Sequence, residues 1–184
     1  MKKYLLFIMA GCILAACSNS GSKPSSPRKD HIDITNDMEN AKGIIPSWVG
    51  EKQVIKMTEP IAHSGSYSCI TSDTNGYSYK YEEMFKNINN EVPKRVIYSG
   101  WIYTTVANPQ IAIICSIDQN GQNYNWKPFP LQDKLTEVGK WVEFSTDFYL
   151  DDKPVKPEMF ISLYAWNQSK KTVFLDDVKI TFLY

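Results

Sequence analysis

Period-two alternation is the feature that most constrains this chain. From residue 66 to Tyr184 it consists of short runs, β-branched and aromatic, separated by clusters of Gly, Asn, Asp, Ser and Pro. Val96 to Val106 is one such run. Ile111 to Ile117 follows the Asn108-Pro109 turn signal, and Asp118-Gln119-Asn120-Gly121 marks a hairpin whose returning strand starts at Gln122. Asn-Gly suits such a turn because both residues tolerate positive φ at low cost. Further strands are predicted over 66–71, 77–82, 141–148, 160–166 and 172–183, and Glu83 to Glu91 is the one modest candidate for a helical turn. No long stretch carries a helical period. Many short strands punctuated by turn signals predict an all-β fold, a sandwich or jelly roll of two antiparallel sheets.

Alternate residues of a strand point to opposite faces. In the last run Phe174, Val178, Ile180 and Phe182 share a face that reads as core, and Asp176 falls on that face too. A carboxylate turned inward must be paired, hydrogen-bonded or metal-bound. In 96–106 the better core face holds Val96, Tyr98, Gly100, Ile102 and Val106, which puts Trp101 and Tyr103 outside. Ile161, Leu163 and Ala165 read as buried, with Ser162, Tyr164 and Trp166 outside; Tyr77, Tyr79 and Tyr81 share one face.

The first residues have a different organisation. Lys2 and Lys3 precede an apolar run, Tyr4 to Leu14, that is too short for the roughly 20 residues of a spanning helix. Leu14-Ala15-Ala16-Cys17 closes it and resembles the lipobox of bacterial lipoproteins. Residues 1–16 are therefore expected to be a cleaved signal peptide, and Cys17 the lipidated residue. Residues 17–30, rich in Ser, Pro and Lys, form a polar tether with too little apolar surface to order itself. Residues 31–184 form one domain. The residue after Cys17 is Ser18, with no acidic retention signal, so the expected location is the outer membrane, lipid-anchored, facing the periplasm or the cell surface. Net charge is zero, which points away from nucleic acid as a partner. Of 4 Cys, Cys69 and Cys115 remain in the domain, inside apparent strands; they read as buried thiols, with a disulfide the alternative that export allows.

Five short segments, in order, resemble the galactose-binding-like carbohydrate-binding modules. They are Asp37-Met38-Glu39, Ala62-His63-Ser64-Gly65-Ser66-Tyr67-Ser68, Ser99-Gly100-Trp101-Ile102-Tyr103, Gly139-Lys140-Trp141-Val142-Glu143-Phe144 and Leu175-Asp176-Asp177-Val178-Lys179-Ile180. Met38 departs from the pattern, standing where an aromatic is usual. The resemblance implies a jelly-roll sandwich and one structural Ca²⁺ where the beginning and end of the domain meet. Its ligands would be Glu39 and Asp176, with backbone oxygens near His63 to Ser66.

The residues also point to a ligand class. Aromatics make up 13% of the chain, with 5 Trp and 11 Tyr. Pyranose rings present C–H patches that lie on flat aromatic faces, and amides or carboxylates nearby bond their hydroxyls. Trp101, Tyr103, Tyr164 and Trp166, with Tyr124 and Trp126 beside Gln122, Asn123 and Asn125, are the candidate carbohydrate-binding residues, whereas Trp48 and Trp141 read as core or rim. The 2 His fall in no nucleophile or metal motif, and the adjacent pairs Glu82-Glu83 and Asp151-Asp152 read as solvated surface, so no enzyme is expected. The expected function is non-catalytic: an anchored domain holding a polysaccharide or oligosaccharide at the cell envelope. The alternative is an interaction or assembly subunit that uses the same sandwich to bind an envelope protein.

Overall fold

The structure is a computed structural model, and it describes residues 30–40, 45–58 and 61–184. The expected signal peptide, Cys17 and all of the expected tether but Asp30 lie outside the described residues. Eleven strands are named: β1 (His31–Asn36), β2 (Trp48–Val49), β3 (Val54–Lys56), β4 (Tyr67–Thr71), β5 (Lys80–Met84), β6 (Arg95–Thr104), β7 (Ile111–Gln119), β8 (Gln122–Pro130), β9 (Trp141–Tyr149), β10 (Phe160–Asn167) and β11 (Val173–Leu183). One turn of helix, α1 (Phe85–Ile88), follows β5. Among the described residues no helix is long and apolar enough to cross a membrane.

The strands form two antiparallel sheets that pack as a β-sandwich of jelly-roll type. The first sheet runs β3-β4-β11-β6-β9, and the second runs β2-β5-β10-β7-β8. In the first, β1 and β4 lie on the same side of β11: β4 pairs with residues 173–175 and β1 with 178–183. The hairpin between β7 and β8 turns at Asn120 and Gly121, with φ of 52° and 74°, as the Asn-Gly signal requires. The core fills the space between the sheets. Val96, Tyr98 and Ile102 of β6 and Val178, Ile180 and Phe182 of β11 face Ile113, Cys115 and Ile117 of β7 and Ile161, Leu163 and Ala165 of β10. Trp48 is buried against Tyr79 and Tyr81. Cys69 and Cys115 are both buried and free.

Two bulges change the faces expected from simple alternation. In β11 the partners of Trp101 and Ser99 on β6 are Asp176 and Lys179, so β11 carries one extra residue there. Asp177 sits at the irregularity with φ of 46°, which Asp tolerates better than most residues. The bulge reverses the phase of β11. Val173 and Leu175 face the core before it, and Val178, Ile180 and Phe182 after it. Phe174 and Asp176 therefore lie on the outer side of the first sheet, contrary to the alternation reading, and are buried there by another route. Similarly, Tyr77 bridges to Trp166 while Tyr81 pairs with Leu163, which leaves one residue more on the β5 side. Tyr79 and Tyr81 are core, but Tyr77 is turned out and is 52% exposed.

Candidate functional site

The outer face of the second sheet carries a groove of about 450 Å³ between the β2 edge and β7. Alternation places its floor. In β10, Ile161, Leu163 and Ala165 point inward, so Ser162, Tyr164 and Trp166 point out. In β7, Ser116 and Asp118 lie on the same outer face. Register then aligns a transverse row: Glu82 pairs with Ser162, Ser162 with Ser116, and Ser116 with Trp126. The groove is walled by Gln53, Tyr77 and Tyr164.

This row is polar and internally bonded. The Ser162 hydroxyl donates to Glu82 Oε2 at 2.9 Å, and the Lys80 ammonium pairs with the same oxygen. Burial pushes the Glu82 carboxyl up, but the hydrogen bonds from Lys80 and Ser162 outweigh it and hold the group below the usual carboxylate range. Asn123 Nδ2 donates to Ser116 Oγ at 2.7 Å, and Ser116 Oγ donates to Asp118 Oδ2 at 3.2 Å. Aromatic rings flank the row. Tyr77 meets Tyr164 edge-on at 5.8 Å, and Trp126 meets Trp166 edge-on at 5.8 Å. Trp126 is 42% exposed. Trp166 also lines a neighbouring hollow of about 350 Å³ with Asp73, Gln168 and Lys170.

Of the six aromatics predicted to bind carbohydrate, the structure brings Trp126, Tyr164 and Trp166 onto this one face. It does not bring the other three. Tyr124 is half-buried and packs against the core, because the bulge between β7 and β8 at Ile117/Asp118 shifts its phase; its hydroxyl donates to the Pro154 carbonyl at 2.9 Å. Trp101 and Tyr103 do point outward, but from β6 in the opposite sheet, where the segment around His63 covers them. The His63 ring stacks on Trp101 with centroids 4.0 Å apart. Tyr103 packs on Trp141 and Phe174 in a small second cluster with Met57 and Ala62. Tyr77, Lys80, Glu82, Ser116 and Asp118 were not singled out from the sequence as site residues. The alternation that placed Ser162 and Tyr164 outside would have found Ser116 and Asp118 if extended to β7.

The two predicted calcium ligands hold the chain together in another way. Asp176 is fully buried. Its Oδ2 accepts the His63 N–H at 3.0 Å, the Ser64 N–H at 3.4 Å and the Ser68 hydroxyl at 3.0 Å; its Oδ1 accepts the Asp177 N–H at 2.8 Å. Burial pushes its carboxyl up to about 6, against the pull of these donors. Glu39 Oε1 accepts the N–H groups of Ser66 and Tyr67, each at 2.8 Å. Gly65 is needed between them: its φ is 58°, and an added Cβ would stand 2.4 Å from the Glu39 carboxyl carbon. A Ca²⁺ site requires six to eight oxygen ligands. Here N–H and O–H donors are turned toward both carboxylates. Glu39 and Asp176, as arranged, do not fit the ion. The burial of Asp176 is met by these four hydrogen bonds. Asp177 completes the clasp, accepting from Ser64 Oγ at 2.7 Å and lying 2.6 Å from His63 Nδ1.

Solved structures share this architecture. The two-sheet β-sandwich is also the fold of solved xylan-binding modules. The chain is similar to the CBM22-2 xylan-binding domain of Paenibacillus barcinonensis Xyn10C, at 20% identity and a TM-score of 0.51, over 81% of this chain and 98% of that one. It is also similar to the CBM22-1–CBM22-2 tandem of the same protein, at 16% identity and a TM-score of 0.53. There it covers 86% of this chain and 48% of the tandem. At these identities the likeness establishes the β-sandwich and nothing finer. No protein-family model matches the sequence, and no curated protein does.

Proposed function

We propose that this protein is a non-catalytic, lipid-anchored carbohydrate-binding lipoprotein that holds a glycan chain at the outer membrane. The observation that carries the reading is the outer face of the second sheet. Exposed rings of Tyr77 and Trp126 and half-buried rings of Tyr164 and Trp166 border a row of hydroxyl and carboxylate groups from Glu82, Ser162, Ser116 and Asp118. Rings supply flat apolar platforms, and the row supplies hydrogen-bond partners for hydroxyls between them. A few precisely placed polar groups among aromatic surface is the usual composition of a small-molecule site.

Holding without cleaving fits the chemistry of the same row. A glycosidase needs one carboxyl with its pKa raised, to act as general acid. Glu82 is held the opposite way, by Lys80 and Ser162. The anchor at Cys17 would keep the domain at the membrane, and the polar stretch of residues 17–30 would let it reach outward.

Depletion of the full chain from solution by insoluble polysaccharides tests the binding. Retention on at least one polysaccharide, lost on Tyr164→Ala together with Trp166→Ala and with no reducing ends released, supports the reading. Failure to bind any polysaccharide, or binding indifferent to both substitutions, refutes it. The anchor is tested separately by labelling cells with a fatty-acid probe: the label should be lost in Cys17→Ala.

A further inference from the structure

We infer that the groove on the second sheet selects uncharged glycans over acidic ones, and that Asp118 sets this selection. The inference rests on the glycan-binding reading and names the ligand class of that same site.

Three side chains that carry a charge at neutral pH line the groove: Lys80, Glu82 and Asp118. The one cation is already committed. The Lys80 ammonium is paired with Glu82, whose same oxygen also accepts the Ser162 hydroxyl. That pair cancels its own charge locally and leaves no cation at the floor to receive an anionic ligand. Asp118 has no such partner. Its Oδ2 accepts from Ser116 Oγ at 3.2 Å and its Oδ1 from Asn123 Nδ2 at 3.5 Å, both long contacts from neutral donors. Among the described residues no Lys, Arg or His forms an ion pair with it. Among the described residues the floor therefore carries one uncompensated negative charge.

A carboxylate only accepts hydrogen bonds. Asp118 and the remaining acceptor capacity of Glu82 match ligands that donate, which sugar hydroxyls do. A uronate or sulfate on the glycan brings acceptors and a second negative charge against Asp118. At contact distances near a protein surface, such a like-charge approach is worth about tenfold or more in affinity. Specificity can be built by repelling the wrong ligand as well as by contacting the right one, and here the repelling group is bonded to Ser116 of the same row that would bond a neutral chain.

The test is affinity electrophoresis of the full chain through gels containing xylan or galactan as neutral polymers, and polygalacturonate or alginate as uronate polymers. At low ionic strength the uronate polymers should retard the protein at least about tenfold less than the better neutral one. Asp118→Asn keeps the shape and removes the charge. It should narrow that ratio at least about threefold by raising uronate binding, and about 0.5 M salt should narrow it in the unaltered protein, because screening shortens the reach of the repulsion. If uronate polymers bind as tightly as neutral ones, or the ratio is the same in Asp118→Asn, this inference is overturned while glycan binding stands. If neither kind of polymer retards the protein, glycan binding and this inference fall together.

Discussion

Asp176 offers the sharpest test of how this sandwich is closed. Its carboxylate receives four hydrogen bonds, three from backbone N–H groups of His63, Ser64 and Asp177 and one from the Ser68 hydroxyl. It is fully buried, so no water stands ready to replace it. In Asp176→Ala those donors lose their acceptor inside the protein. Each orphaned buried donor costs about 1–3 kcal/mol, so the substitution should cost several kcal/mol. In a domain of this size that lowers Tm by about 10 °C. The pH dependence discriminates further. The folded carboxyl titrates near 6, above its ordinary value of 3.8, because burial disfavours the charge. The native state therefore holds the proton more tightly than the unfolded chain. The stability this group contributes is fully present below about pH 4 and is lost as pH rises through 6, a difference of about 3 kcal/mol. Other carboxyls, such as Glu82 and Asp33, are shifted the opposite way and shape the overall profile. The comparison that isolates Asp176 is thus between the protein and Asp176→Asn. Measured by urea unfolding at pH 4 and pH 7, the Asn variant should gain about 3 kcal/mol relative to the parent on going from acid to neutral pH. A relative loss over that interval would mean that the four donors stabilise the carboxylate more than burial disfavours it. A Tm decrease under about 2 °C in Asp176→Ala would refute the clasp itself.

Three further outcomes follow from the geometry. Trp101→Ala should leave glycan affinity within about twofold, since it lies on the other sheet, but should lower stability by about 1–3 kcal/mol in urea unfolding through loss of the His63 stack. A chelator should change Tm by less than about 1 °C, because donors already occupy both expected ligands; a calcium-dependent rise of several degrees, as mass action gives for a native-state ligand, would show that Glu39 and Asp176 rearrange around the ion. Cys69 and Cys115 are buried and burial pushes both thiols up to about 12, so a thiol reagent at pH 8 should leave both unlabelled until urea unfolds the chain, and rapid native labelling would contradict their placement.

Much of the fold was legible from alternation because a half-buried strand has no other way to satisfy both its faces. The hairpin at Asn120-Gly121, the outward Tyr164 and Trp166, and the order of the last six strands all follow from period two and turn chemistry. The errors share one cause. A bulge inserts a residue without any composition signal, and every side chain beyond it changes face. Asp177 does this to Phe174 and Asp176, the extra residue before Tyr81 does it to Tyr77, and the shift at Asp118 does it to Tyr124. Which sheet a strand joins is a second quantity that its own residues do not carry. Trp101 and Trp166 look alike in sequence, each outward-facing in an aromatic strand, yet β6 and β10 lie in different sheets.

That separation decides where binding can occur. Both sheets present aromatics outward, so exposure of ring surface alone does not choose between them. On the first sheet the bulge at Asp177 turns a carboxylate outward, and the chain responds by folding residues 61–68 over it. His63, Ser64 and Ser68 supply the donors, Ala62 and Met57 pack on Phe174, and Trp141 Nε1 donates to the Ile61 carbonyl at 2.9 Å. The rings of Trp101 and Tyr103 are consumed by that cover. On the second sheet nothing comparable is demanded. Ser162 donates to Glu82 and Ser116 to Asp118 along the outer face, and Tyr77 and Trp126 stay exposed there while Tyr164 is half-buried. A buried charge drawn under cover on one face and a polar row bonded within its own sheet on the other thus account for Trp101 and Tyr103 being covered and for the groove over Ser162 and Ser116 being open.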